Sequence, residues 1–424
     1  MSSVYARARE LGLSVAFRTG IRWRSVLPIL VLACGVAFVS PAIAVSCEEA
    51  AASPAIRWTP LPYPTGSRIL QVGPTREFKL PSEAARVARG GDVIEIDAGE
   101  YTDTTVWRQD GLWIRGVNGR PHLKAPPQPA LGKGIWVISG NDVTVENIEF
   151  SGARVPSRNG AGIRAQGRNL TVRASYFHGN EMGLLSNHDA DSTITIEFSE
   201  FASNGFEGER FHHNIYVGRV GLFVLRHSYS RGAIRGHMVK SRAKRSEILY
   251  NRLEDDVAGT SSFELDLSEG GEALVLGNLI VQAATSPNRT MVSYAAENAT
   301  RWENRLTVAF NTFYSWGTNV VFISNRSTSD ALVINNVFGG SVGLTVRGPA
   351  AARGNRLAGP SEFVDPTSGN YRLRAGGRGI DAAQDPPEGW TDPPAPAFEP
   401  IAPMQSRLRP THGHRDIGAF EWCP

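Results

Sequence analysis

The feature that most constrains this chain is a unit of hydrophobic alternation that recurs from Val106 onward. Each copy ends in a small polar residue, any residue, then an aliphatic or aromatic one. It reads VTVENIEF at 143–150, LTVRASYF at 170–177, ITIEFSEF at 194–201 and LFVLRHSY at 222–229. It returns as ILYNRL (248–253), LVLGNLI (274–280), LTVAFNTF (306–313) and LVINNVF (332–338). The polar marks Asn147, Ser175, Ser199, Ser228, Asn251, Asn278, Asn311 and Asn336 lie 23–33 residues apart. A second alternating segment falls between successive marks, at 161–165, 182–187, 212–218, 236–243, 261–267, 291–297 and 319–325. Short strands and turn residues repeating at this period specify a parallel β-solenoid. Asn at one turn of each coil suits an internal amide ladder. A leucine-rich frame is absent, and propeller blades would be longer, with four antiparallel strands. Parallel crossovers are overwhelmingly right-handed, so the expected fold is an all-β right-handed parallel β-helix.

Residues 81–89, PSEAARVAR, form an amphipathic helix stopped by Gly90, Gly91 and Asp92, with a strand at 93–97. The helix is expected to cap the first coil, which would otherwise expose core and a free edge. The organisation read from the sequence is a signal peptide at 1–44, an extended lead-in at 45–76, a capped β-helix domain at 77–360, and a closing segment with a Pro-rich tail at 361–424.

The amino terminus carries Arg7, Arg9, Arg18, Arg22 and Arg24 against Glu10, then an apolar run from Val26 to Val39 and Pro41-Ala-Ile-Ala44. That is the pattern of a secretory signal cut after Ala44, with an uncleaved anchor as the alternative. Removing it takes away five Arg and one Glu, so the formal net charge of +3 becomes −1. The basic balance therefore belongs to the leader and gives no indication of nucleic-acid binding. The expected location is extracellular or periplasmic, with no membrane span after cleavage and a monomeric chain. Cys47 and Cys423 then remain at the two ends, either as a disulfide or as two free thiols.

The cap helix followed by GDVIEIDAGEY (91–101) resembles the entry of right-handed β-helix proteins of the pectate-lyase-like superfamily. FVDPTSGNYRLRAGGRGID (363–381) and DIGAFEW (416–422) resemble the closing segment of secreted β-helix proteins. The resemblance covers about residues 70–422 and implies the fold. The superfamily holds lyases, hydrolases, epimerases, esterases and phage tailspikes, so it does not fix the reaction.

Chemistry is expected where three neighbouring segments concentrate ionisable residues. Alternation places Tyr216, Lys240 with Arg242, and Glu264 with Asp266 on one outward face, stacked from rung to rung. Inserted turns at 205–211, 255–260, 285–289 and 298–304 would wall that face. One reading is a lyase that cleaves an anionic, uronate-containing polysaccharide by β-elimination. In it Arg242 neutralises the substrate carboxylate, Lys240 is a base with a depressed pKa, Tyr216 or His213 moves a proton, and Glu264 and Asp266 orient the cations. His237, Asp266, Arg289 and Tyr294 are the further substrate-binding candidates, with Arg164 at the other end. Glu264 and Asp266 are also candidate calcium ligands, although two carboxylates fall short of a calcium shell. A second reading makes Glu264 and Asp266 an inverting hydrolase pair. A uronate epimerase would share the first proton abstraction of the lyase. The remaining reading is a carbohydrate-binding or surface scaffold whose charges pair across rungs.

Overall fold

In a computed structural model, residues 45–208, 212–340 and 343–424 are described. The expected signal peptide at 1–44 lies outside them. The described residues wind into a right-handed parallel β-helix with three long sheets of 12, 10 and 11 strands. Within each sheet, strands follow one another at every third strand of the chain, except that Ile69–Val72 pairs with the strand next in sequence, Val93–Asp97. The ten-stranded sheet is built from Thr105–Trp107, Gly134–Ile138, Ala161–Ala165, Met182–Ser186, Ile215–Val217, Val239–Ser241, Leu265–Leu267, Thr290–Tyr294, Val321–Asn325 and Leu344–Arg347.

The recurring alternation fills the interior with columns of side chains, one from each coil in every column. Phe150, Phe177 and Phe201 are in register on adjacent strands and stack with centroids 5.0 and 4.6 Å apart. The polar marks bend each coil. Ala174, Phe198, His227, Tyr250 and Phe310 take left-handed backbone immediately before the marked residue. Asn147 itself has φ 56° and is offset by one from the column, so the Ser175 hydroxyl accepts from Ile148 N instead. From Asn251 on, each Nδ2 donates to the next Oδ1 through Asn278, Asn311, Asn336 and Asn355, at 2.9–3.0 Å. A second, shorter ladder runs through Asn180, Asn204 and Asn214.

The cap helix is Pro81–Val87, with Pro at its start and the Glu83 carboxylate accepting from Leu80 N. Within 45–76, expected to be extended, Cys47–Ala52 is a helix and Ile69–Val72 is the first strand of the 12-stranded sheet. The rest of the lead-in lies along the outer face of that sheet, where Tyr63 bonds Glu95 and Trp58 bonds Glu146. The tail approaches along the same face as an antiparallel hairpin, Phe398–Ala402 with Gln405–Leu408, packed on Tyr250 and Leu276. The two segments meet where Ile56 bridges Ser406 and Thr411 N donates to Val45 O. Cys47 and Cys423 are bonded there, with Cα atoms 5.8 Å apart. Beneath this strap Arg115, Glu146, Arg173, Glu197 and Arg226 stand one per rung with alternating sign. Arg173 bridges Glu146 at 2.7 Å and Glu197 at 3.0 Å.

Candidate active site

The outward column of the ten-stranded sheet reads Arg164, Leu185, Tyr216, Lys240, Asp266, Ser293 and Ser324 from coil to coil. Tyr216 and Lys240 are therefore adjacent, as expected. The next rung supplies Asp266, not Glu264, because the coil from Lys240 to Asp266 is two residues longer than the coil from Tyr216 to Lys240. Glu264 precedes the strand, at the corner where the chain turns. It shares its register with Met238 and Met291, and all three are wholly buried. Gln282 Nε2 approaches its carboxyl at 3.4 Å inside the coil. Burial, then the nearby Asp255 carboxyl, drive the Glu264 pKa well above the ordinary carboxylate value. Glu264 and Asp266 thus face opposite sides of the sheet. They form neither a hydrolase pair across a substrate nor a shared calcium site.

Lys240 is the hub of the outer face. Its Nζ lies 3.1 Å from Asp266 and 2.5 Å from Glu297, with the Tyr216 ring centroid 5.8 Å away. Burial works to lower its pKa, but Asp266 and Glu297 outweigh it and hold the ammonium above its ordinary value. The expected depression of Lys240 by Arg242 is thereby reversed in the free protein. Burial raises Asp266 despite Lys240, with Glu297 repulsion acting in the same direction. Burial would also raise Glu297, yet bonding to Lys240 and the charge of Arg242 keep it below the usual range.

Arg242 bonds the second Glu297 oxygen, stands 3.7 Å from Glu269, and places its guanidinium carbon 5.3 Å from the Tyr216 centroid. Glu269 also takes a forked pair of bonds from Arg219, whose backbone N donates to His188 Nδ1. Arg301 lies 3.7 Å from Glu269, and Trp302 Nε1 donates to Arg242 O at 3.2 Å. The turn at 298–304 thus closes over the ends of these strands. On the opposite flank the turns at 255–260 and 285–289 brace each other, Thr285 Oγ1 donating to Gly259 O at 2.8 Å. The column lies between these two banks.

His213 and His237 stack at 4.5 Å, and His213 Nδ1 accepts from His237 N. Phe263 packs on His237 at 4.8 Å and faces out, although alternation from Leu265 would point it inward. Burial takes His213 well below its ordinary pKa, and burial with Lys240 takes His237 to about 3, so both rings are neutral. His237 Nε2 is 3.7 Å from Asp266. Tyr216 is raised by burial against the pull of Arg242 and Lys240, which keeps its hydroxyl protonated. Tyr294, expected to flank the face, is buried in the core beside Leu267, with its hydroxyl donating to Gly271 O. Arg289 is drawn to Thr318 on the next coil. Arg164 bonds Asn187 at 3.1 Å.

Glu297, Glu269, Arg219 and His188 complete the constellation without having been singled out. Glu297 closes the segment MVSYAAE, and Glu269 follows Asp266 by three residues. Both sit in turns beyond the strand ends, where alternation carries no information.

No family model matches the chain, and no curated protein sequence matches it. Among solved structures it is similar to one described as the crystal structure of pectate lyase Pel9A. The TM-score is 0.57 at 16% identity, over 84% of this chain and 96% of that one. A pectin methylesterase from Aspergillus niger aligns over 78% of this chain and 94% of that one, at 10% identity; its TM-score of 0.28 carries no argument. What the chain shares with the first of these is its architecture, a right-handed parallel β-helix.

Proposed function

We propose that this protein is a secreted, polysaccharide-active enzyme that cleaves a uronate-containing chain by β-elimination across the outer column of the ten-stranded sheet. The observation that carries this reading is Lys240 held between Asp266 and Glu297, with Arg242 on the other oxygen of Glu297. Two cations sharing one displaceable carboxylate are arranged to receive a uronate. Of the two carboxylates on Lys240, Glu297 is the displaceable one, because its side chain is 39% exposed against 4% for Asp266. A substrate carboxylate that takes Arg242 removes Glu297 from Lys240 and covers the lysine with sugar. Burial already favours the neutral amine, so loss of that partner lowers the Lys240 pKa.

The steps then balance. The Lys240 ammonium passes its proton to Asp266, whose raised pKa suits it to hold one. The amine takes the proton from the carbon beside the substrate carboxylate, and that electron pair forms the new carbon–carbon double bond. The glycosidic carbon–oxygen bond breaks, and the leaving oxygen takes a proton from the Tyr216 hydroxyl or from water. The likeness to a pectate lyase supports placing polygalacturonate first on the substrate panel. The Cys47–Cys423 bond supports an oxidising compartment. Among the described residues no helix is long and apolar enough to cross a membrane.

The test is incubation of residues 45–424 with acidic polysaccharides. Growth of unsaturated-uronate absorbance supports elimination, and new reducing ends without it would replace this reading with hydrolysis. A binding scaffold is the second reading, favoured by the pairing of both Lys240 and Arg242 with carboxylates. Retention on the polysaccharide with no cleavage would establish it.

A further inference from the structure

The strands His122–Lys124, Glu149–Ser151 and Tyr176–His178 are successive rungs of the 11-stranded sheet, away from the Lys240 column. Their middle residues Leu123, Phe150 and Phe177 point into the core, so the flanking residues face outward. The tail meets the same sheet in later coils, from Arg252 onward.

Strands two rungs apart are about 9.6 Å from each other. Yet the His122 and His178 rings lie with centroids only 5.6 Å apart. Both lean over the intervening strand, His178 backed by the Tyr176 ring at 4.5 Å. Their nitrogens converge on one carboxylate oxygen: Glu149 Oε1 is 2.9 Å from His178 Nε2 and 3.5 Å from His122 Nε2. One ligand atom from each of the three residues falls within 4.8 Å of the others. Ser151 Oγ, 2.6 Å from His122 Nε2, adds an oxygen at the same point. Glu100 lies 3.9 Å from His122 Nδ1, on the side where the proton must sit if Nε2 is to bind a metal.

We propose that His122, Glu149 and His178 form a binding site for a divalent transition-metal ion of the zinc class. Zinc with bonds of about 2.0–2.1 Å to nitrogen and oxygen places its ligand atoms about 3.3 Å apart, and the separations of 2.9 and 3.5 Å bracket that value. Two imidazoles and a carboxylate are a donor set for this class of ion, and leave a solvent-facing position for water or Ser151. A calcium or magnesium site would be built from oxygens alone. Because each ligand comes from a different coil, the bound ion would staple three consecutive coils near the capped end.

The test uses residues 45–424, stripped with a chelator and then titrated with zinc by calorimetry. One zinc per chain is expected, with thermal unfolding moved upward by the metal. His178→Ala and Glu149→Gln should each weaken binding by at least about tenfold, since even an outer partner's loss can cost a bound metal that much. Cobalt added to the unaltered protein gives an independent readout that needs no variant. Intense visible absorption of low-coordinate cobalt is expected, and the pale spectrum of fully hydrated cobalt would overturn the site. Absence of zinc binding, or equal binding by a folded His122→Ala/His178→Ala protein, would overturn it as well. Polysaccharide cleavage is read on a different sheet, so failure of one proposal leaves the other standing.

Discussion

Lys240 illustrates how a residue is decided by its neighbours more than by its column. Alternation places it correctly beside Tyr216, but the two carboxylates that set its charge come from a third rung and from a turn. If Lys240 is the base, Lys240→Ala should lower eliminative cleavage by about 10²- to 10⁴-fold in protein that circular dichroism shows to be folded. Full activity in that variant would remove it from the mechanism. Glu297→Gln makes a sharper test. The Glu297 carboxylate raises the Lys240 pKa, so removing its charge lowers that pKa. The amine then forms at lower pH, and the acidic limb of the pH–rate profile should move down. Movement upward, or none, would contradict the pairing.

Glu264 gives a prediction about stability alone. Its pKa in the fold lies above the unfolded value, so the folded state binds more protons as pH rises past 4.5. Stability therefore falls with rising pH until the folded group also ionises. Glu264→Gln should accordingly raise the guanidinium midpoint at pH 8 and leave it nearly unchanged at pH 4. The misplacement of Glu264, Phe263 and Tyr294 has physical causes. The strands here are as short as three residues, and alternation holds only inside them. At the preceding corner His213, His237 and Phe263 turn outward while Asn214, Met238 and Glu264 turn inward. Tyr294 lies within its strand but shares the inward parity of Val292. The charges in the following turns obey no period at all.

At the scale of the element, the fold was legible because its devices repeat. Each coil must bend at a fixed place, and a left-handed residue followed by Ser or Asn does so from Ser175 onward. The ladder that this creates has a measurable cost of removal. Asn278 Oδ1 accepts from both the Asn251 backbone and side chain, and its own Nδ2 donates to Ile248 O and Asn311 Oδ1. Asn278→Ala orphans buried groups on both sides, each costing about 1–3 kcal/mol. A loss of about 3 kcal/mol or more is expected in denaturant unfolding, and a loss below about 1 kcal/mol would show that the amides only fill space. The alternating Arg–Glu column under the strap was present in the sequence as well. It escaped notice because its members also read as ordinary outward charges, and only rung register reveals that neighbours have opposite sign.

For the molecule as a whole, the pairing of Cys47 with Cys423 joins residues 376 positions apart. Closing so long a loop restricts the unfolded chain strongly, so reduction should cost about 2–5 kcal/mol of stability. An unchanged midpoint after verified reduction would place the stabilisation entirely in the noncovalent strap. Solenoids are held together by nearest-neighbour contacts, and either end is free to fray without consulting the other. Here the first and last segments are moored side by side on one flank, so peeling a coil from the cap end pulls on the closing segment too. Amide hydrogen exchange should therefore be nearly as slow at Val72 and Val333 as at Val224. After reduction the two extremities should quicken first while the middle stays slow, turning a chain that opens as one body into one that unravels from its tips.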